Sequence, residues 1–127
     1  MQYLLDTHAF LWFINGDTLL SDKARTIIEN PAHDRYVSTA SFWEMAIKLN
    51  LGKLELDMSF GDLYHEVDKN GFTLLPITIA HTEKVISLDL YHRDPFDRML
   101  ICQAMVDNLT VISADSKFYN YKVKHIW

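Results

Sequence analysis

Tyr3-Leu4-Leu5-Asp6-Thr7-His8 opens the chain with a short apolar run closed by a carboxylate. A run this brief and this apolar suits a strand covered on both faces, the kind found inside a parallel sheet. Such a strand has no use for a charge unless its end opens on a site, so residues 2–6 form the strand and Asp6 marks its carboxyl end. Thr110-Val111-Ile112-Ser113 repeats the pattern and leads to Asp115.

Between these two runs the elements alternate in type. A helix carrying the stripe Phe10, Phe13 and Ile14 stops near Asn15-Gly16. Ser21 caps a second helix with Ala24, Ile27 and Ile28 at helical spacing, ended by Asn30-Pro31. Tyr36-Val37-Ser38 is a short strand. Ser41-Phe42-Trp43-Glu44 matches a capping box and opens a helix with Phe42, Met45, Ala46 and Leu49 on one face, closed near Gly52. Ser59 starts another helix, with Phe60, Leu63, Tyr64 and Val67 ending at Gly71. Residues 72–77 are a strand, and Thr78 caps a helix with Ile79, Thr82 and Ile86 on one side. Asp94 followed by Pro95 is an N-cap with proline at the first helical position. The helix it opens, through Met105, is apolar nearly all round and therefore central and buried. Residues 110–113 and 123–127 supply the last strands. The alternation predicts one domain over residues 1–127, a three-layer α/β/α fold around a mainly parallel sheet of about four to five strands.

Composition narrows the class. Of 127 residues, 49% are hydrophobic and 23% charged, the balance of an ordinary globular chain that can bury a core. One cysteine, Cys102, leaves no internal disulfide framework and sits in an apolar helical setting as a small buried hydrophobe. No His/Cys spacing suggests zinc. No segment has the length of a membrane span or the layout of a signal peptide, so a cytoplasmic protein without membrane contact is expected. The net charge of −5 argues mildly against a general nucleic-acid binder. Bound cations would cancel acidic charge locally, and residues 117–127 carry three lysines and no acid.

Parallel strands would bring Asp6, Glu44, Asp97 and Asp115 to one carboxyl edge, where such folds place their sites. Each acid also has a plain structural use. Asp6 can cap the helix that follows it. Asp97 is favourable charge in a first helical turn. Glu44 serves a capping box or an i, i+4 pair with Lys48. Asp115 can cap a short last helix. Taken together, clustered carboxylates repel one another. A hard divalent cation relieves that repulsion, since Mg²⁺ and Mn²⁺ select carboxylate oxygens. The set points to metal-assisted phosphodiester chemistry.

Four blocks carry a family likeness: Leu4-Leu5-Asp6-Thr7-His8; Ser38 through Glu44 with Lys48 and Gly52-Lys53-Leu54; His92 through Ile101 around Asp94-Pro95-Phe96-Asp97-Arg98; and Ser113-Ala114-Asp115-Ser116-Lys117-Phe118. In this order they resemble the PIN-domain family, and within it the VapC toxins of bacterial toxin–antitoxin pairs. The resemblance implies a Mg²⁺- or Mn²⁺-dependent endoribonuclease that leaves a 5′-phosphate and a 3′-hydroxyl, homodimerises and is silenced by a cognate antitoxin. It places the family's acids on Asp6, Glu44, Asp97 and Asp115, and its hydroxyl two residues before the last acid on Ser113. Cys102 stands where many relatives have alanine. On this reading Asp6, Asp97 and Asp115 hold the cation and Glu44 completes the shell or orients water. Arg98, Lys48, Lys53 and Lys117 are candidate phosphate contacts, each with solvated surface charge as its plain alternative. Trp12, Phe13, Trp43, Leu51 and Tyr91 exceed what the core stripes need and suggest an interface.

Two other classes fit parts of the pattern. A phosphatase with an aspartyl nucleophile would use Asp6, but that chemistry pairs it with a second Asp two residues on, where His8 stands. A non-catalytic module could receive a partner's arginine in an acidic pocket. Metal-dependent RNA cleavage separates the latter from an enzyme.

Overall fold

Five short strands run in the same direction through the middle of the chain's fold, in a computed structural model that describes all 127 residues. In chain order the elements are β1 (Gln2–Leu5), α1 (Thr7–Asn15), α2 (Asp22–Glu29), β2 (Asp34–Ser38), α3 (Thr39–Asn50), α4 (Phe60–Lys69), β3 (Thr73–Leu75), α5 (Ile79–Ile86), α6 (Pro95–Asp107), β4 (Thr110–Ile112), a 3-10 turn (Ser116–Asn120) and β5 (His125–Ile126). The sheet order is β3-β2-β1-β4-β5, with every neighbouring pair parallel. Six helices flank it, giving the three α/β/α layers expected from the alternation of elements.

The period of two along β1 divides the core. Tyr3 and Leu5 face one layer, where they join Phe10 and Leu11 of α1, Ala24 and Ile28 of α2, Met45 of α3, and Leu63 and Val67 of α4. Leu4 faces the other, with Leu100, Ile101 and Ala104 of α6, Val111, Phe118 and Tyr121. Leu4 and Leu5 are both fully buried, and each contributes about 1.5–3 kcal/mol of burial free energy. That two-sided demand is why the run is continuously apolar. Cys102 is buried in α6 as a packing residue.

The structure moves several boundaries. β2 passes directly into α3, so the cap is Ser38, whose hydroxyl accepts from the Ala40 N–H at 3.0 Å, and not Ser41. Ser41 lies inside the helix and its hydroxyl is 2.9 Å from that of Thr7. Glu44 is thereby displaced from the first turn to the second. The third strand shrinks from 72–77 to Thr73–Leu75, because Phe72 gives its N–H to Val67 in closing α4 and Pro76 has none to give. β5 keeps only His125–Ile126 of the run 123–127. In α5 the Ile79–Ile86 side turns outward, with Ile79 81% and Ile86 86% exposed. The buried residue is His81, which accepts from the Thr78 N–H at Nδ1 and lies 2.8 Å from Asp107 at Nε2. No helix is long and apolar enough to cross a membrane.

Candidate active site

Asp6 and Asp115 lie just past the carboxyl ends of β1 and β4, while Glu44 comes from α3 and Asp97 from α6. Asp6 follows β1 and caps α1, accepting the Ala9 N–H at 2.8 Å. Its capping use and its place at the sheet edge are thus one and the same. It is buried, and burial raises its pKa, only partly offset by hydrogen bonds from Ser113 and Ala9. Ser113, just past β4, accepts the Asp115 N–H at 3.0 Å.

Glu44 reaches the same region from α3. Its Oε1 accepts from the Thr7 hydroxyl at 2.7 Å and its Oε2 from Lys48 Nζ at 2.6 Å. A hydroxyl has one proton, so with Thr7 donating to Glu44 it is Ser41 that donates to Thr7. The Lys48 pKa is raised, first by its hydrogen bond to Glu44 and against the effect of burial. The i, i+4 pair foreseen for Glu44 is therefore present alongside its approach to the site.

Asp97 lies in the first turn of α6, where Asp94 is the cap. Its pKa is pushed up to about 8, first by burial and then by the negative charges of Asp94, Asp6, Glu44 and Asp115. Asp6, Glu44 and Asp115 thus all lie within electrostatic reach of Asp97. Asp94, treated in the sequence only as a cap, adds a fifth charge. Asp115 caps the 3-10 turn, with Oδ1 accepting the Lys117 N–H at 2.9 Å and Oδ2 at 2.7 Å from His92 Nε2. Burial acts to raise its pKa, but the hydrogen bonds from Lys117 and His92 and the nearby positive charge prevail, and the net shift is downward.

His92 is the residue that the sequence reading passed over. Its ligand atom and those of Asp97 and Asp115 all lie within 4.8 Å of one another. Nothing in periodicity marks it. Its signals are its place two residues before the Asp94 cap and at the head of the block His92 through Ile101. Asp6 and Glu44 stand outside this tight trio.

The structure reassigns one candidate phosphate contact. Arg98 donates to the backbone carbonyls of Asp89, His92 and Leu88 at 3.0–3.3 Å, so its guanidinium clamps the loop that carries His92. Lys53 and Lys117 are exposed. The largest cavity, about 550 Å³, is lined by residues including Lys84, Tyr91, Tyr121 and Lys122 and contains none of the four acids. Volume and chemistry part company here, and the chemistry locates the site.

The donor set fits a hard divalent cation. It is rich in carboxylate oxygens, and the Asp97 pKa is raised by burial and by neighbouring negative charge, both of which a cation would offset.

A family model described as PIN domain matches residues 3–124. No curated protein matches the chain. Among solved structures, VapBC2 from Rickettsia felis bound to a DNA fragment from their promoter superposes with a TM-score of 0.72 at 13% identity, covering 99% of this chain and 98% of that one. A toxin–antitoxin complex from Klebsiella pneumoniae gives 0.67 at 15% identity, covering 98% and 96%. FitAcB from Neisseria gonorrhoeae gives 0.68 at 18% identity, also covering 98% and 96%. At these identities the likeness is one of fold.

Proposed function

This chain belongs to the PIN-domain family, and from that premise we propose that it is a metal-dependent endoribonuclease acting as the toxin of a toxin–antitoxin pair. Residues 1–127 act as one nuclease domain in the cytoplasm. The observation that carries the reading is the gathering of Asp6, Glu44 and Asp115 around Asp97, whose pKa is pushed up to about 8 by burial first and then by neighbouring negative charge.

Asp6, Asp97 and Asp115 hold Mg²⁺ or Mn²⁺ through their oxygens. A bound cation of this kind acidifies a water and neutralises charge on the phosphoryl oxygens. Thr7 and Lys48 occupy one oxygen each of Glu44, so Glu44 contributes negative charge and fixes the Lys48 ammonium beside the pocket. Lys48 in turn offers its charge to the RNA phosphate. The products are a 5′-phosphate and a 3′-hydroxyl.

The partner is an antitoxin, as in the toxin–antitoxin structures that share the fold. Its arginine enters the acidic pocket, so the arginine-accepting reading becomes the mode of inhibition and not a rival function. A homodimer is supported by outward apolar residues: Trp43 is 60% exposed and edge-on to Phe96, and Ile79 and Ile86 are exposed on α5. A phosphatase is disfavoured because His8 is exposed against Trp12 and offers no second carboxylate.

The test is cleavage of a panel of structured RNAs with and without Mg²⁺ or Mn²⁺, beside Asp6→Asn. Cleavage should require the cation and collapse in the variant while circular dichroism is unchanged. Cleavage that survives chelation, or full activity in Asp6→Asn, would remove the metal mechanism.

A further inference from the structure

The His92 imidazole lies between two of the acids, and its other nitrogen decides what it can do there. Nδ1 is 3.1 Å from the backbone nitrogen of Asp94. A backbone N–H only donates, so Nδ1 is the accepting, unprotonated nitrogen and the ring proton is on Nε2. Nε2 faces Asp115 Oδ2 at 2.7 Å and Asp97 Oδ2 at 3.2 Å. The ring is buried and packs edge-on to Phe118. Its backbone is pinned on both sides, the N–H donating to the Tyr121 hydroxyl at 2.8 Å and the carbonyl accepting from Arg98 at 3.2 Å.

We infer that His92 is a positioning residue, an Nε2–H donor that fixes the Asp115 carboxylate beside that of Asp97 and stays outside the ligand shell of the cation. The inference rests on the metal-dependent reading above. A nitrogen that carries a proton has no lone pair to give a metal. Ligation through Nε2 would require that proton to move to Nδ1, leaving the Asp94 N–H pointed at another N–H. The arrangement therefore resembles a mixed His/carboxylate site in its spacing but offers oxygen donors only. That distinction matters for cation choice, because an imidazole ligand would shift preference toward borderline metals, whereas an all-oxygen set suits Mg²⁺ and Mn²⁺. Outer-shell donors of this type orient ligands, and their loss typically weakens metal affinity about 10–100-fold.

The experiment uses the full chain with ¹⁵N-labelled histidine and Mn²⁺ as the probe. Imidazole NMR of the metal-free protein should show His92 protonated at Nε2 and bare at Nδ1; the opposite tautomer overturns the inference. Pulsed EPR of the Mn²⁺-loaded protein should show no directly bonded histidine nitrogen. A bonded nitrogen that disappears in His92→Phe overturns it. In titration calorimetry His92→Phe should bind Mn²⁺ about 10–100-fold more weakly. His92→Gln, which restores an N–H donor near the same place, should recover most of that loss. Unchanged affinity in a folded His92→Phe variant overturns the positioning role. A wild-type protein that has the expected tautomer and binds no Mn²⁺ removes the metal reading instead, and the positioning role falls with it.

Discussion

Asp97 shows how one residue can be ordinary in sequence and unusual in place. In the first turn of α6 a carboxylate is favourable on helix-dipole grounds alone. Burial and four neighbouring acids reverse that preference and raise its pKa from 3.8 to about 8. Between those values the folded state keeps a proton that the unfolded chain has released. Stability of the metal-free protein should therefore be greatest in this respect below about pH 4 and be lost as pH rises toward 8, with a slope of at most about 1.4 kcal/mol per pH unit. Asp97→Asn should flatten that slope, raise the metal-free melting temperature near pH 8 and abolish cleavage. Urea titrations from pH 5 to 8 measure the first effect, and a variant with the same slope as wild type would mean that Asp97 does not hold the proton.

At the scale of elements, α3 is the informative case. The Ser41-to-Glu44 spacing matches a capping box, yet the helix begins three residues earlier because β2 ends at Ser38 and leaves no loop. The difference is testable. Ser38→Ala removes the acceptor for the Ala40 N–H and should cost ~1 kcal/mol, with faster exchange of that amide. Ser41→Ala should leave Ala40 exchange unchanged while loosening Thr7 and Glu44. The opposite pattern would return the cap to Ser41. α5 teaches the same lesson about stripes: Ile79, Thr82 and Ile86 share a side, but His81 is the residue that turns inward. Periodicity finds a face without saying which way it points.

For the molecule as a whole, a cluster of acids on a chain of net charge −5 favours a basic visitor. A partner peptide whose arginine enters the pocket should compete with Mg²⁺, bind more weakly to Asp6→Asn, and raise thermal stability by about 2.7 kcal/mol at a hundredfold excess over its dissociation constant. Calorimetry at low and high Mg²⁺ decides the point. Binding indifferent to both the cation and Asp6→Asn would place the inhibitory surface elsewhere. Stripping divalent cations should strengthen partner binding by the same linkage.

Local information was enough for the element order, the parallel α/β architecture and most helix caps. Each of these is written in short runs: apolar stretches of four, Ser or Asp before a helix, Asn-Gly after one. Three things were not local. The start of α3 depended on where β2 ran out of partners, since strand pairing is set by residues far away in the chain. The outward turn of α5 depended on which neighbour claimed His81, and that neighbour, Asp107, lies 26 residues on. His92 gained its place only when α6 and the end of β4 brought Asp97 and Asp115 to its Nε2, and its tautomer only from the Asp94 N–H. Propensity and patterning act over a few residues, whereas charge, tautomer and exposure depend on everything packed around a group; the first belonged to the sequence and the second only to the fold.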